Sequence, residues 1–373
     1  MSVFLINASN LKAGGGLQVA DSICVQLNRF NQHKFIVVLS SYFGLTKERI
    51  QQYENVEVID YTIPNTFNTI VLGWDIFLNQ IVENRRVEAV LTVFGPSRWI
   101  PKVRHLSGFA LSQIVIPESP FFQRMNYFER LKWTVWRGVR RWSFKRSADC
   151  FWTENPFISR RLKKLLGKNI YTVSNYYNQI FDSPDIWRKH PLPVFEGTTC
   201  LSVSSNYPHK NFGILLNVAR LLVRDYPEFK FRFVLTFEEA QLVVPEELKH
   251  HFLFIGKIDM LECPDLYRQS DIMFMPTLLE CFTATYPEAM RMEVPIVTTD
   301  LEFARGLCGN AACYYSALDA QAASEAIYKV ATDKEFAAQL LANGKEQLKK
   351  FDTYEQRANK LIGVMEEMVR EKK

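Results

Sequence analysis

The sequence has no Cys-x-x-Cys pair, no His/Cys cluster at metal-ligand spacing, no Asp-x-Asp motif, no internal repeat and no low-complexity tract. Those absences set aside a protein-bound metal and a repeat architecture. Every apolar run stops short of the ~20 residues needed to cross a bilayer, so no membrane span is expected. The seven cysteines are odd in number, and MSVFLIN at the start reads as a short first strand, not a secretory signal. The expected setting is a reducing cytoplasm. Nor is there a strong excess of one charge, with 45 Lys and Arg against 40 Asp and Glu. What is present suffices for two packed α/β domains: 373 residues, 47% hydrophobic and 23% charged, exceed one ordinary core and argue against disorder.

The most informative stretch is ECFTATYPE, residues 280–288, in which Glu280 and Glu288 bracket a turn. DIMFMP before it is a short apolar run ended by Pro276, as expected of a buried parallel strand. After it, Pro287 fits the first turn of a helix, and Ala289, Met290 and Met292 lead to a second apolar strand at Val294–Val297. A strand, loop, helix and strand in this order form a crossover unit whose ligands gather at the carboxyl ends of the strands. Free N–H groups at the helix start would hold an anion while the carboxylates accept from hydroxyls. That chemistry suits a sugar joined to a diphosphate. Either glutamate alone also reads as a solvated acid at a helix start.

The run from about Phe252 to Asp333 resembles the carboxyl-terminal domain of family 4 retaining glycosyltransferases. The shared features are two glutamates separated by seven residues, then EAM, then an apolar strand, here EAMRMEVPIVTTD; FIGKIDM and DLYRQSDIMFMPTLLE precede them in the family's order. The resemblance implies a GT-B fold: two Rossmann-like domains with parallel sheets facing a cleft, and a final helix crossing back to the first domain. It implies that Glu280 faces the donor sugar, that Glu288 binds the ribose hydroxyls, and that the amides of Phe282, Thr283, Ala284 and Thr285 face the diphosphate or sugar hydroxyls. Cys281 and Thr283 stand where the family usually has glycine, which narrows the backbone angles allowed beside the donor.

Two further loops bear on the donor. Gly14, Gly15 and Gly16 lie where strand Val3–Asn7 turns into an amphipathic helix, so the backbone there can approach a bulky ligand. A dinucleotide site is disfavoured, because Val19 occupies the third-glycine position and the next strand, KFIVVLS, ends in serines and not an acid. In the family this loop faces donor and acceptor, which marks Gly15 and Gly16. Lys210, in NYPHKN after strand CLSVSS, stands where the family places a lysine that reaches the diphosphate, although Ser205 replaces the usual accompanying arginine. A cation there would stabilise charge building on the leaving nucleotide. With no metal motif, the expectation is a metal-independent transfer without cofactor, and the resemblance implies retention at the anomeric carbon. Read alone, Lys210 is an exposed loop lysine.

Positive charge is concentrated in FFQRMNYFERLKWTVWRGVRRWSFKR, residues 121–146, where eight cations stand against Glu129. On a helix, Phe128, Leu131, Val135, Val139 and Trp142 form a stripe expected to pack on the core. Trp133, Trp136 and Phe144 would then project elsewhere, and Trp133, Trp136, Arg137 and Arg140 would face an anionic membrane surface. A solvated basic helix covered by neighbours is the plain alternative, and no nucleic-acid-binding module surrounds the stretch. Residues 93–119 resemble the acceptor-side region of bacterial polysaccharide glycosyltransferases, which marks His105, Arg98, Lys102 and Arg104 as acceptor ligands; a lone histidine also reads as structural.

The expected domains are 1–185 with a returning helix at 353–373, and 190–352, joined by the polar, proline-containing 178–195. The leading expectation is a glycosyltransferase moving a sugar from a nucleotide donor to a lipid-linked or growing saccharide in polysaccharide synthesis. It would work in the cytoplasm or peripherally on the inner membrane. A non-catalytic saccharide- or membrane-binding pair and a nucleotide-sugar epimerase are the alternatives.

Overall fold

A computed structural model describes residues 1–12 and 14–371, so Ala13 of the glycine loop and the last two residues of the expected 353–373 helix lie outside the described residues. The chain divides into two units, residues 1–117, 126–175 and 352–373 in one and residues 118–125 and 176–351 in the other.

The first unit holds strands β1 (Val3–Ala8), β2 (Lys34–Leu39), β3 (Val56–Asp60), β4 (Ala89–Thr92), β5 (Arg104–Gly108), β6 (Cys150–Thr153) and β7 (Ile170–Thr172). They form one parallel sheet in the order β3-β2-β1-β4-β5-β6-β7. Runs such as VFLINA and KFIVVL are apolar nearly throughout because helices cover both faces. Alternation then sorts the side chains: Phe4, Ile6, Phe35 and Val37 enter one core while Leu5, Ile36, Val38 and Val90 enter the other.

The second unit repeats the plan with β8 (Thr198–Ser202), β9 (Phe231–Leu235), β10 (Phe252–Phe254), β11 (Ile272–Met275), β12 (Ile296–Thr299) and β13 (Ala312–Tyr315). Their order, β10-β9-β8-β11-β12-β13, reverses direction between β8 and β11. Loops leaving those two strands diverge, and in such sheets that switch point is where ligands bind.

The chain passes to the second unit at residue 176, not near 185 as the polar composition of 178–195 suggests. Residues 179–186 form two 3-10 turns that the second unit claims: Phe181 is buried edge-on to Tyr267, and the Asp182 carboxylate accepts from Arg291. Residues 118–125 also belong to the second unit, a placement that no composition shift announces.

The last helix, Tyr354–Arg370, completes the first unit, with Ala358, Leu361, Ile362, Met365 and Met368 in its core. Arg357 is only 2% exposed and donates to the side chains of Asn175 and Ser22. Burial lowers its pKa to about 10, while nearby Glu154, also buried, is raised to about 7 by desolvation against the pull of Arg357. A buried cation that satisfies buried partners is costly to remove. Arg357→Ala is expected to lower the unfolding free energy by about 3–5 kcal/mol in urea titration, with Arg357→Lys recovering only part of the loss.

Candidate active site

The loop after β8 contains a 3-10 turn at Pro208–Lys210 that ends on Asn211, which takes a left-handed φ of 58°. This turn brings Lys210 back over the sheet edge instead of out to solvent. The Lys210 Nζ lies 2.6 Å from Glu280 Oε1, and both side chains are 11% exposed. Thr277 Oγ1 donates to the same oxygen at 2.8 Å, and His209 Nε2 approaches it at 4.0 Å. All three contacts fall on Oε1, so Oε2 is open to a further donor such as a hydroxyl.

The surroundings fix the two loops to each other. Leu278 N donates to the His209 carbonyl at 2.8 Å, and Thr299 Oγ1, at the carboxyl end of β12, donates to the Thr277 carbonyl at 2.7 Å. The 118–125 segment adds a strap: Ser119 Oγ donates to the Leu278 carbonyl at 2.7 Å and Arg124 Nη1 to Asn211 Oδ1 at 2.5 Å. The Asn211 Nδ2 is buried without a hydrogen-bond partner, which leaves a donor for a ligand. Burial lowers the pKa of His209 against the pull of Glu280, and neighbouring Lys210 adds to the lowering. Its ring stacks with Tyr207, at 5.8 Å, and meets Phe121 edge-on at 6.3 Å.

Glu280 and Lys210 are thus brought together, while Glu288 points elsewhere. It sits in the first turn of helix Thr285–Arg291, buried, and accepts from Tyr267 Oη at 3.0 Å. Burial raises its pKa to about 7, against the opposing hydrogen bond from Tyr267. Phe282 packs edge-on against Phe351, and the Thr283 and Thr285 hydroxyls are 2.9 Å apart. Ala284 precedes the helix with helical angles, and N–H groups of a first helical turn have no intrahelical acceptor. Neither Cys281 nor Thr283 has a positive φ, so the missing glycines impose no backbone strain here. In the first unit, Gly14 does need its positive φ of 70°, and Gly15 and Gly16 open helix Gly15–Cys24.

Three sequence expectations are corrected. His105 is in the core of the first sheet, 2% exposed, with Nε2 2.8 Å from Thr92 Oγ1 and Nδ1 2.6 Å from the Ser147 carbonyl; burial lowers its pKa to about 4. With both ring nitrogens occupied it has none to offer an acceptor. Lys102 lies just before β5, at the amino and not the carboxyl edge of that sheet, with its Nζ 4.9 Å from the Trp74 ring centre; Arg98 is exposed in the same β4–β5 connection. The basic helix is turned the other way: Phe144 is fully buried and Trp133 and Trp136 are half-buried, while the stripe expected inside is exposed. Sequence reasoning missed His209, Thr277, Tyr267 and the strap. Only the adjacency of His209 to Lys210 could have pointed to one of them.

Two doubly wound parallel sheets in succession are the GT-B arrangement. Residues 185–347 match the family described as Glycosyl transferases group 1. The chain is 22% identical over 245 residues to the O-antigen chain mannosyltransferase RfbU of Salmonella typhimurium, covering 65% of this chain and 67% of that protein. Among solved structures, sucrose-phosphate synthase from Thermosynechococcus elongatus matches with a TM-score of 0.68 at 15% identity over 98% of both chains. Anabaena HepE in complex with UDP-glucose matches with 0.67 at 16% identity over 98% of this chain and 100% of that one.

Because its folded pKa is raised, Glu288 binds its proton more tightly in the native state than in the unfolded chain. Its stabilising contribution is therefore present below the unfolded value of about 4.5 and is lost as pH rises to about 7. Glu288→Gln keeps an acceptor for Tyr267 without the charge. The variant should be more stable than the parent by up to about 3 kcal/mol at pH 8 and show no advantage at pH 4.5, read by chemical denaturation.

Proposed function

We propose that this glycosyltransferase moves a sugar from a nucleoside-diphosphate donor to a lipid-linked or growing saccharide, in synthesis of a surface polysaccharide of O-antigen or capsule type. The observation that carries the donor part is the Lys210–Glu280 pair, in which one carboxylate oxygen is held by Lys210 and Thr277 and the other is open. Glu280 Oε2 accepts from a hydroxyl of the donor sugar, and Lys210 turns part of its charge to the diphosphate. As the glycosidic bond breaks, the leaving diphosphate gains charge, and a cation placed beforehand stabilises that state more than the ground state. Asn211 Nδ2 adds a donor, the amides of Phe282, Thr283, Ala284 and Thr285 face the diphosphate or sugar, and Glu288 takes the ribose hydroxyls.

The transfer needs no metal in this reading, because Lys210 and the backbone supply the neutralising charge, and retention follows the family resemblance. The polysaccharide assignment is supported by the likeness to a mannosyltransferase of O-antigen, and a uridine nucleotide by the likeness to HepE, which was solved with UDP-glucose. Among the described residues no helix is long and apolar enough to cross a membrane, and we place the enzyme peripherally on the cytoplasmic leaflet, where a lipid-linked acceptor is met.

Glycan extension assayed across UDP-, GDP- and ADP-sugars tests this. Lys210→Met and Glu280→Gln should each lower turnover by about 10²–10³. Each should also cost stability, because the remaining charge is buried without its partner. The double variant Lys210→Met/Glu280→Gln should regain stability but not turnover, which separates chemistry from folding. Full turnover in both single variants would remove the pair from catalysis.

A further inference from the structure

Helix Tyr127–Ser147 has 21 residues, of which only Phe144 and Ser147 are buried. Phe144 is clamped between Phe109 and Phe151, at ring separations of 4.9 and 5.8 Å, and this fixes the rotation of the helix about its axis. The start is fixed too: Asn126 and Glu129 form a reciprocal cap, with 2.9 Å bonds in both directions. With the helix held this way, Phe128, Leu131, Val135, Val139 and Trp142 are 78, 50, 60, 59 and 55% exposed. Their spacing of three and four residues makes them one continuous outward stripe along the helix.

A stripe of this kind is ordinarily covered. The charges around it say by what. At 100° per residue, Lys132 and Arg146 fall on the stripe itself and Arg141 and Lys145 along one flank. The helix carries seven cations against Glu129 alone. A second copy of the same face would bring like charges together, and a nucleic acid would leave the apolar stripe in water. An anionic bilayer satisfies both features, with apolar side chains in the acyl boundary and cations at the phosphates.

A second observation continues the surface beyond Trp142. The Arg146 guanidinium lies 4.3 Å from the Trp142 ring centre and lines a groove of about 380 Å³ with Lys102, Arg104 and Lys168, against the single acid Asp149. Lys102 in turn lies against the half-exposed Trp74, next to exposed Leu72 and Ile76. Four cations in one concavity beside exposed aromatics match the phosphates of lipid headgroups.

We propose that the outward stripe of helix Tyr127–Ser147, with the cationic groove at its end, is a docking surface for an anionic membrane, and that it holds the enzyme at the leaflet carrying its acceptor. This rests on the lipid-linked acceptor reading only for its purpose, since docking is measured without any acceptor. The test is co-sedimentation of the full chain with phosphatidylcholine vesicles and with vesicles also containing phosphatidylglycerol, at low and high salt. Binding should be confined to the anionic vesicles and fall with salt. Val135→Glu/Val139→Glu should weaken it at least about tenfold, through lost apolar contact and added repulsion. Lys132→Ala/Lys145→Ala should weaken it and flatten the salt dependence. All these positions are solvent-facing, so circular dichroism and turnover of a water-soluble acceptor should match the parent. Equal, negligible sedimentation with both vesicle types overturns docking, as does unchanged binding by Val135→Glu/Val139→Glu or self-association through this face in place of vesicle binding. Vesicle binding with no sugar transfer to any acceptor overturns the transferase reading and leaves docking standing.

Discussion

The second unit is organised around one buried ion pair. Lys210 and Glu280 lie in the loops that follow neighbouring strands, β8 and β11, where the sheet reverses its winding, and the two loops are bonded to each other there. Two charges withdrawn from water in such a gap lose hydration that their mutual attraction only partly returns. The structure offsets this with hydrogen bonds from fixed groups. Thr277 holds the carboxylate, Thr299 holds the Thr277 carbonyl, and the His209 carbonyl is bonded to Leu278. Each group belongs to a strand end or to a loop tied to one. The pair is therefore positioned by the parallel sheet itself, and a ligand meets charges already oriented.

Lys210 and Glu280 could each be singled out because they sit at strand-to-helix junctions with a distinctive spacing, but their contact with each other could not. Glu280, Glu288 and Lys210 each follow an apolar run, and the parallel sheet demands such runs for its doubly covered strands. The returning helix was equally legible: Ala358, Leu361, Ile362, Met365 and Met368 repeat at helical spacing and all are buried. The basic helix misled because both its faces carry large apolar residues, so periodicity gives two phases and cannot choose between them. Phe144 decided the choice through ring contacts with Phe109, just after β5, and Phe151, in β6, which helical periodicity does not report. His105 misled for a related reason. A histidine near cations reads as a ligand, but at the amino end of β5 it faces Thr92 and a carbonyl, partners set by tertiary register alone.

The glycine substitutions take on a different meaning once the backbone is known. Cys281 and Thr283 were expected to restrict the backbone beside the donor, but neither adopts a conformation that calls for glycine. Their side chains are buried, and the Thr283 hydroxyl is bonded to that of Thr285. What they remove is space, not flexibility. In the donor site proposed above, the two added β-carbons would bear on which sugar fits.

Charge is divided by task across the molecule. Lys210 is a cation withdrawn from water, and in the proposed transfer one charge beside a leaving diphosphate in a site of low polarity would act strongly. The cations of helix Tyr127–Ser147 face solvent, where screening limits each to about 8–10 Å. They cannot substitute for Lys210, nor would Lys210 serve a diffuse anionic surface, which rewards many shallow charges spread along a rigid helix. The formal excess of +5 conceals this arrangement, because acids elsewhere balance the helix in the sum but not in space. Net charge alone would describe a nearly neutral protein; its placement separates a buried Lys–Glu pair from an exposed basic helix, the two features on which the proposals above rest.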